Sequence, residues 1–121
     1  MKTYSKQESL GPAPPIQPTH FTGEATGLPV LKGGEGTVNV TMVRFAAGVR
    51  NHWHFHRGGQ VLHVVDGTGY VQSRGEAARR VAAGDTVSAE AGEEHWHGAT
   101  EEGPMAHLAI SIGETVWLEE S

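Results

Sequence analysis

Five of the eight histidines fall in two short runs, and within each run they recur at every second position. The first run is "HWHFHRGGQ", His52 to Gln60, and the second is "HWHGA", His95 to Ala99. Residues two apart on a strand share a face. His54 and His56 can therefore enter one cavity, and His52 can join them if the strand starts early enough. Imidazole binds Zn, Mn, Fe, Ni and Cu, and an amide oxygen adds a hard contact. Gln60, beyond the "RGG" bend, can return such an oxygen toward the pair. Two histidines still need a distant third ligand, and the second run offers one in His95, with His97 two residues on. The competing reading is a histidine-rich strand end that faces water. That is common for one histidine and much rarer for three at one parity.

Composition removes several other chemistries. There is no cysteine, hence no disulfide, no zinc–thiolate site and no thiol nucleophile. The formal net charge is -5, and Lys and Arg gather nowhere beyond Arg79–Arg80, so nucleic acid is not an expected partner. No run approaches the length of a bilayer span. The N-terminal "MKTYSKQESLGPAPP" lacks the apolar core of a signal peptide. A soluble cytoplasmic protein with no membrane partner is the expectation. The 121 residues fit a single domain.

The elements that must carry these histidines read as short strands. Residues Leu10 to Pro18, "LGPAPPIQP", hold four of the six prolines. Proline cannot donate to a sheet ladder, so residues 1–20 are expected as an extended arm, hanging free or lying along a partner subunit. Residues 21–121 are expected as one barrel domain. "GGEGTVNVTMVRFAAG" predicts a turn and then about eight alternating residues. "QVLHVVDGTGYVQSRG" predicts a β-hairpin closed by the "DGTG" turn. "RRVAAGDTVSAEAGEEHWHGA" predicts two further short runs, and "MAHLAISIGETVWLEE" two more. No helical apolar stripe exceeds two turns. Short strands spaced by glycine turns predict an all-β barrel or sandwich.

The two histidine segments together resemble the cupin superfamily. Its first motif is a glycine, five residues, His-x-His, three or four residues, an acidic residue, six residues and a glycine. Gly48, His54, His56, Gln60 and Gly67 fall on those positions, with Gln60 replacing the usual glutamate. In the second motif Gly84, Gly92 and His95 match, while Glu90 stands for a proline and Ala99 for an asparagine. The resemblance covers Thr37 to Ile112. It implies a small antiparallel jelly-roll barrel, the double-stranded β-helix, with a metal held by His54, His56, Gln60 and His95. It also places His52 in the preceding loop, at the rim. Small cupins of this kind are usually homodimers.

"HWHFHRGGQVLHVV" with "HWHGATEEGPMAHLAI" is similar, more narrowly, to small bacterial cupins that include manganese-dependent hydroxynitrile lyases. That likeness implies one divalent transition metal per chain, Mn before Fe, Zn, Ni or Co. It implies a small-molecule substrate and cyanohydrin cleavage or formation, with His97 and His107 as candidate proton carriers. Thr41, Val43 and Ser111 are expected on the pocket wall. A dioxygenase, or a non-catalytic module whose metal anchors a small ligand, is the alternative. His63 has the wrong parity for the cavity and is expected to face away. His20 carries no signal, and Trp53, Trp96 and Trp117 read as packing.

Overall fold

The structure, a computed structural model, describes residues 1–34 and 37–120. A five-residue helix, α1 (Lys6–Leu10), and a 3-10 turn (Pro18–His20) precede ten strands. These are β1 (Ala25–Lys32), β2 (Val38–Phe45), β3 (His54–His56), β4 (Gln60–Asp66) and β5 (Thr68–Ser73), followed by β6 (Arg79–Ala82), β7 (Thr86–Ala89), β8 (His95–Ala99), β9 (Met105–Ile112) and β10 (Thr115–Trp117). They form two five-stranded antiparallel sheets, ordered β1-β2-β9-β4-β7 and β10-β3-β8-β5-β6. The two sheets enclose one apolar core, with Phe45, Val64 and Met105 almost wholly buried in it.

Register puts the site residues on the inner faces. In the first sheet Val43 pairs with His107, Thr41 with Ala109 and Gln60 with Ser111. Residues directly opposite share a face, so Thr41, Val43, Gln60, His107 and Ser111 all belong to the face that carries core residues Phe45, Leu62 and Val64. In the second sheet His54 pairs with His95, and Val71 with His97. His63, one residue out of phase, is exposed and meets Thr86 Oγ1 at 2.9 Å.

One sequence expectation changes. "DGTG" does not close a hairpin: β4 pairs with β9 and β7, and β5 with β6 and β8. It is the corner at which the chain leaves one sheet for the other. Gly67 takes φ +75° there, and a Cβ on it would lie 2.2 Å from the Pro104 carbonyl oxygen. The glycine signal was therefore real, but it marked a close approach between sheets. Strand β1 was not anticipated because Pro29 interrupts it. The proline is tolerated because β1 is an edge strand with a register shift between Pro29 and Leu31.

The N-terminal arm makes bonds to its own chain. Ile16 N donates to Ala25 O at 2.9 Å, and Gly27 N to Pro14 O at 2.9 Å. Pro15, with no N–H, sits between these bonds and costs the ladder nothing. Ile16 packs against the core over Gly27, at whose position a side chain would crowd it. Ahead of it, Ser5 and Glu8 cap α1 reciprocally, and Arg44 Nη1 donates to Leu10 O at 2.6 Å. The turn read at Gly33–Gly36 includes residues 35 and 36, which lie outside the described residues.

Candidate metal centre

His54 and His56 stand two apart on β3, one on each side of outward-facing Phe55, and β8 brings His95 directly across from His54. Gln60 opens β4 on the facing sheet. All four are at least 95% buried: His54 1%, His56 4%, Gln60 5% and His95 5% exposed. The three rings converge, with centroid separations of 5.1 Å for His54–His56, 4.4 Å for His54–His95 and 5.7 Å for His56–His95.

Each ring is held by its outer nitrogen. His54 Nδ1 donates to His52 O at 2.7 Å and His95 Nδ1 to Glu93 O at 2.8 Å. A carbonyl only accepts, so both protons sit on Nδ1 and both Nε2 atoms present lone pairs. His56 Nδ1 meets Thr115 Oγ1 at 2.9 Å. The same outer hydrogen bonding orients imidazoles that ligate metals.

Among the described residues the histidines whose ring nitrogens come mutually within 4.8 Å are His54, His95 and His97, so His56 and Gln60 are candidate ligands on the chemistry of their inner atoms. His56 Nε2 is buried without a hydrogen-bond partner among the described residues. Gln60 lies close enough to raise the proton affinity of His56, but no bond of proper geometry reaches Nε2. Gln60 Nε2 donates to Ser111 Oγ at 2.9 Å, which turns Oε1 toward His95 Nε2 at 3.1 Å. Two acceptors then face each other with no proton between them. A cation between them satisfies both, as would turning the amide over in the metal-free protein. The donor set of imidazole nitrogens and one amide oxygen is neutral and suits a divalent first-row metal.

His97 lies beside this cluster. One ring nitrogen from each of His54, His95 and His97 falls within 4.8 Å of the others. His97 already has partners of its own, however. His107 Nε2 lies 3.0 Å from His97 Nδ1, and Asn51 Nδ2 lies 3.3 Å from His97 Nε2. Asn51 Oδ1 also accepts from His97 N at 2.9 Å. The His97–His107 pair is deeply buried, at 3% and 1% exposure, against the ring of Phe45. His107 Nδ1 has no partner among the described residues.

Burial keeps all five rings neutral. It is the largest cause of lowered proton affinity in each, bringing His54 to about 3, His56 to about 4 and His107 to about 4. Repulsion from His95 adds to the effect in His54 and His56. His97 is pushed well down by burial and then by His107, and His95 is lowered by burial. Neutral imidazoles are the form that binds metal.

The expected pocket residues share the inner face with Gln60. Ser111 holds the Gln60 amide, Val43 flanks His107, and Thr41 lies near Gly27 and Ile16. A narrow cavity of about 40 Å³ reaches His95 between Leu62, Val71 and Val87. A hollow of about 450 Å³ between Ala25, Arg44 and Pro104, and one of about 440 Å³ along residues 15–25, touch no site histidine. Sequence reasoning missed Asn51, Thr115, Trp117 and His20. The last two stack at 4.1 Å beside His54. Spacing gave no sign of them, since they come from separate parts of the chain.

Two antiparallel sheets that enclose a histidine cluster from β3 and β8, with an amide from β4, define a cupin. The family model of the cupin domain matches residues 41–111, and the chain belongs to that family. It is 40% identical over 91 residues to an (R)-mandelonitrile lyase of Granulicella tundricola, covering 74% of this chain and 70% of that one. Among solved structures, a cupin-like protein from Thermotoga maritima superposes with a TM-score of 0.83 at 34% identity, covering 89% of this chain and 86% of that one. An uncharacterised double-stranded β-helix protein from Klebsiella pneumoniae gives 0.76 at 18% identity, over 99% of both chains; at that identity the likeness speaks for the fold.

Proposed function

We propose that this protein is a metal-dependent cupin lyase that cleaves cyanohydrins to an aldehyde and hydrogen cyanide, and runs the reverse addition. His54, His56, His95 and Gln60 hold one divalent transition metal, with Mn favoured by the resemblance. The observation that carries the reading is the pairing of a neutral, buried donor set with a second buried histidine pair alongside it. The mandelonitrile lyase relative, 40% identical, supplies the substrate class. When bound, such a metal supplies a Lewis acid for a hydroxyl or carbonyl oxygen, and a neutral donor set leaves its charge uncompensated.

The chain's own residues handle the proton. Cleavage breaks the C–CN bond, the hydroxyl proton leaves oxygen, and cyanide departs with the bonding electrons and takes up a proton. His97 and His107, 3.0 Å apart, form one unit that receives the first proton and returns one to cyanide. Burial holds His107 near a pKa of about 4, so at neutral pH it is free to accept but is a weak base. Such a base matches a strongly acidified hydroxyl and would fail on an ordinary alcohol. Val43 pairs with His107 and Thr41 with Ala109 on the same face, and Ser111 keeps the Gln60 oxygen turned inward.

The test is mandelonitrile cleavage by Mn-loaded protein, with and without chelator. His97→Ala and His107→Ala should keep their metal and lose about 10²–10⁴-fold in turnover if the pair carries the proton. Parental turnover in both variants would remove them from the chemistry. No cleavage by the metal-loaded parent would end the lyase reading.

A further inference from the structure

We propose that His20 is a positioning residue for the metal centre: its ring, stacked on Trp117, holds that indole in contact with the His54 ring. The His20 and Trp117 rings lie 4.1 Å apart and 4° from parallel. Trp117 is 4.6 Å from the His54 ring, and the two are register partners across β10 and β3. The indole thus touches two imidazoles, stacked on His20 and tilted 39° to His54. Strand β10 has three residues and lies at the edge of its sheet, so pairing alone restrains Trp117 weakly. The stacked His20 ring supplies a second restraint.

A second connection runs through the backbone. His52 N donates to His20 O at 2.9 Å, and His52 O accepts from His54 Nδ1 at 2.7 Å. Thr22 N donates to Arg50 O at 2.8 Å, Arg50 N to Thr22 Oγ1 at 3.0 Å, and Phe21 bridges Asn51. Residues 20–22 therefore lie alongside residues 50–52, which lead into β3. One route from His20 restrains the His54 ring through Trp117 and the other fixes the peptide that holds its Nδ1. The Pro18–His20 turn is then part of the site.

This inference rests on the metal reading above, and the two can fail separately. The probe is Co²⁺ alone, titrated into metal-free protein and followed by its visible spectrum, which reports coordination geometry. His20→Ala should bind Co²⁺ about 3- to 10-fold more weakly, the range expected for losing one aromatic stack, and the bound spectrum should shift. His20→Phe keeps the stack and the backbone carbonyl, and should return affinity to within about twofold with the parental spectrum. Parental affinity and spectrum in His20→Ala would overturn the inference while leaving the metal reading intact. So would a His20→Phe variant as weak as His20→Ala. A parent that binds no Co²⁺ would overturn both.

Discussion

Acid should unfold the metal-free protein earlier than its carboxylates alone would allow. His56 and His107 titrate at about 4 in the fold and 6.5 when unperturbed, and His54 at about 3. The folded values lie below the unfolded ones, so the unfolded chain binds more protons throughout this window. Stability is full above about pH 6.5 and falls as pH drops toward the folded values. At about pH 5 each of the three groups costs roughly 2 kcal/mol relative to neutral pH. The sum is smaller than three independent terms, because part of the shift in His54 and His56 is repulsion from a neighbour that is itself neutral there. An overall loss of about 3–6 kcal/mol between pH 7 and pH 5 follows, a large share of an ordinary domain's stability. Glu93 and Glu119, held below 4.5 by their hydrogen bonds to Ser73 and Arg74, lose their contribution at lower pH and leave this window to the histidines. Urea titrations of chelator-treated protein at several pH values measure it. Divalent metal should offset the upper part of the loss by mass action. A change under about 1 kcal/mol between pH 7 and pH 5 would show that these rings are not held neutral by burial.

His54→Ala should abolish stoichiometric metal after desalting, by elemental analysis. The loss should exceed the roughly 10–100-fold cost of disturbing an outer contact to a ligand, and turnover should vanish with it. Phe45→Ala, at a wholly buried ring touching Phe21, His97 and His107, should cost about 3–5 kcal/mol in urea unfolding. A homodimer is expected by light scattering at micromolar concentration. Leu31, Val38 and Ile112 stand exposed together on the outer face of the first sheet, at 58%, 37% and 39%, and a monomer would count against that face as an interface.

Much of the site was legible because strand parity is a strong constraint. Once His54 and His56 were read on one face, outward Phe55 and exposed His63 followed from the two-residue period. The glycine spacing of the two motifs carried the fold, since Gly48, Gly67, Gly84 and Gly92 all take positive φ. What was not legible was pairing. "DGTG" has the chemistry of a hairpin turn, and only the packing of Gly67 on Pro104 sends the chain to the other sheet. The arm escaped for a similar reason. Its prolines forbid a central strand, but they permit Pro14 and Ile16 to bond across an edge, and nothing local says that the edge is β1 of the same chain. Asn51 escaped because its role is defined by His97, 46 residues away.

The way the rings are held explains how so simple a pattern can build a candidate metal site. His54 and His95 are each oriented by a backbone carbonyl two residues upstream, those of His52 and Glu93. No second side chain has to be supplied for either. Both carbonyls belong to residues that lead into β3 and β8, so the two motifs bring both the candidate ligand and the group that sets its tautomer. The remaining contacts come from other strands: Thr115 on β10 holds His56, and Ser111 on β9 holds Gln60. These need the barrel to close. The site therefore divides into a part encoded locally and a part encoded by topology. Loss of Ser111 should leave His54 and His95 aimed inward and free only the amide, whereas loss of β10 would release His56 and remove Trp117 from His54 together.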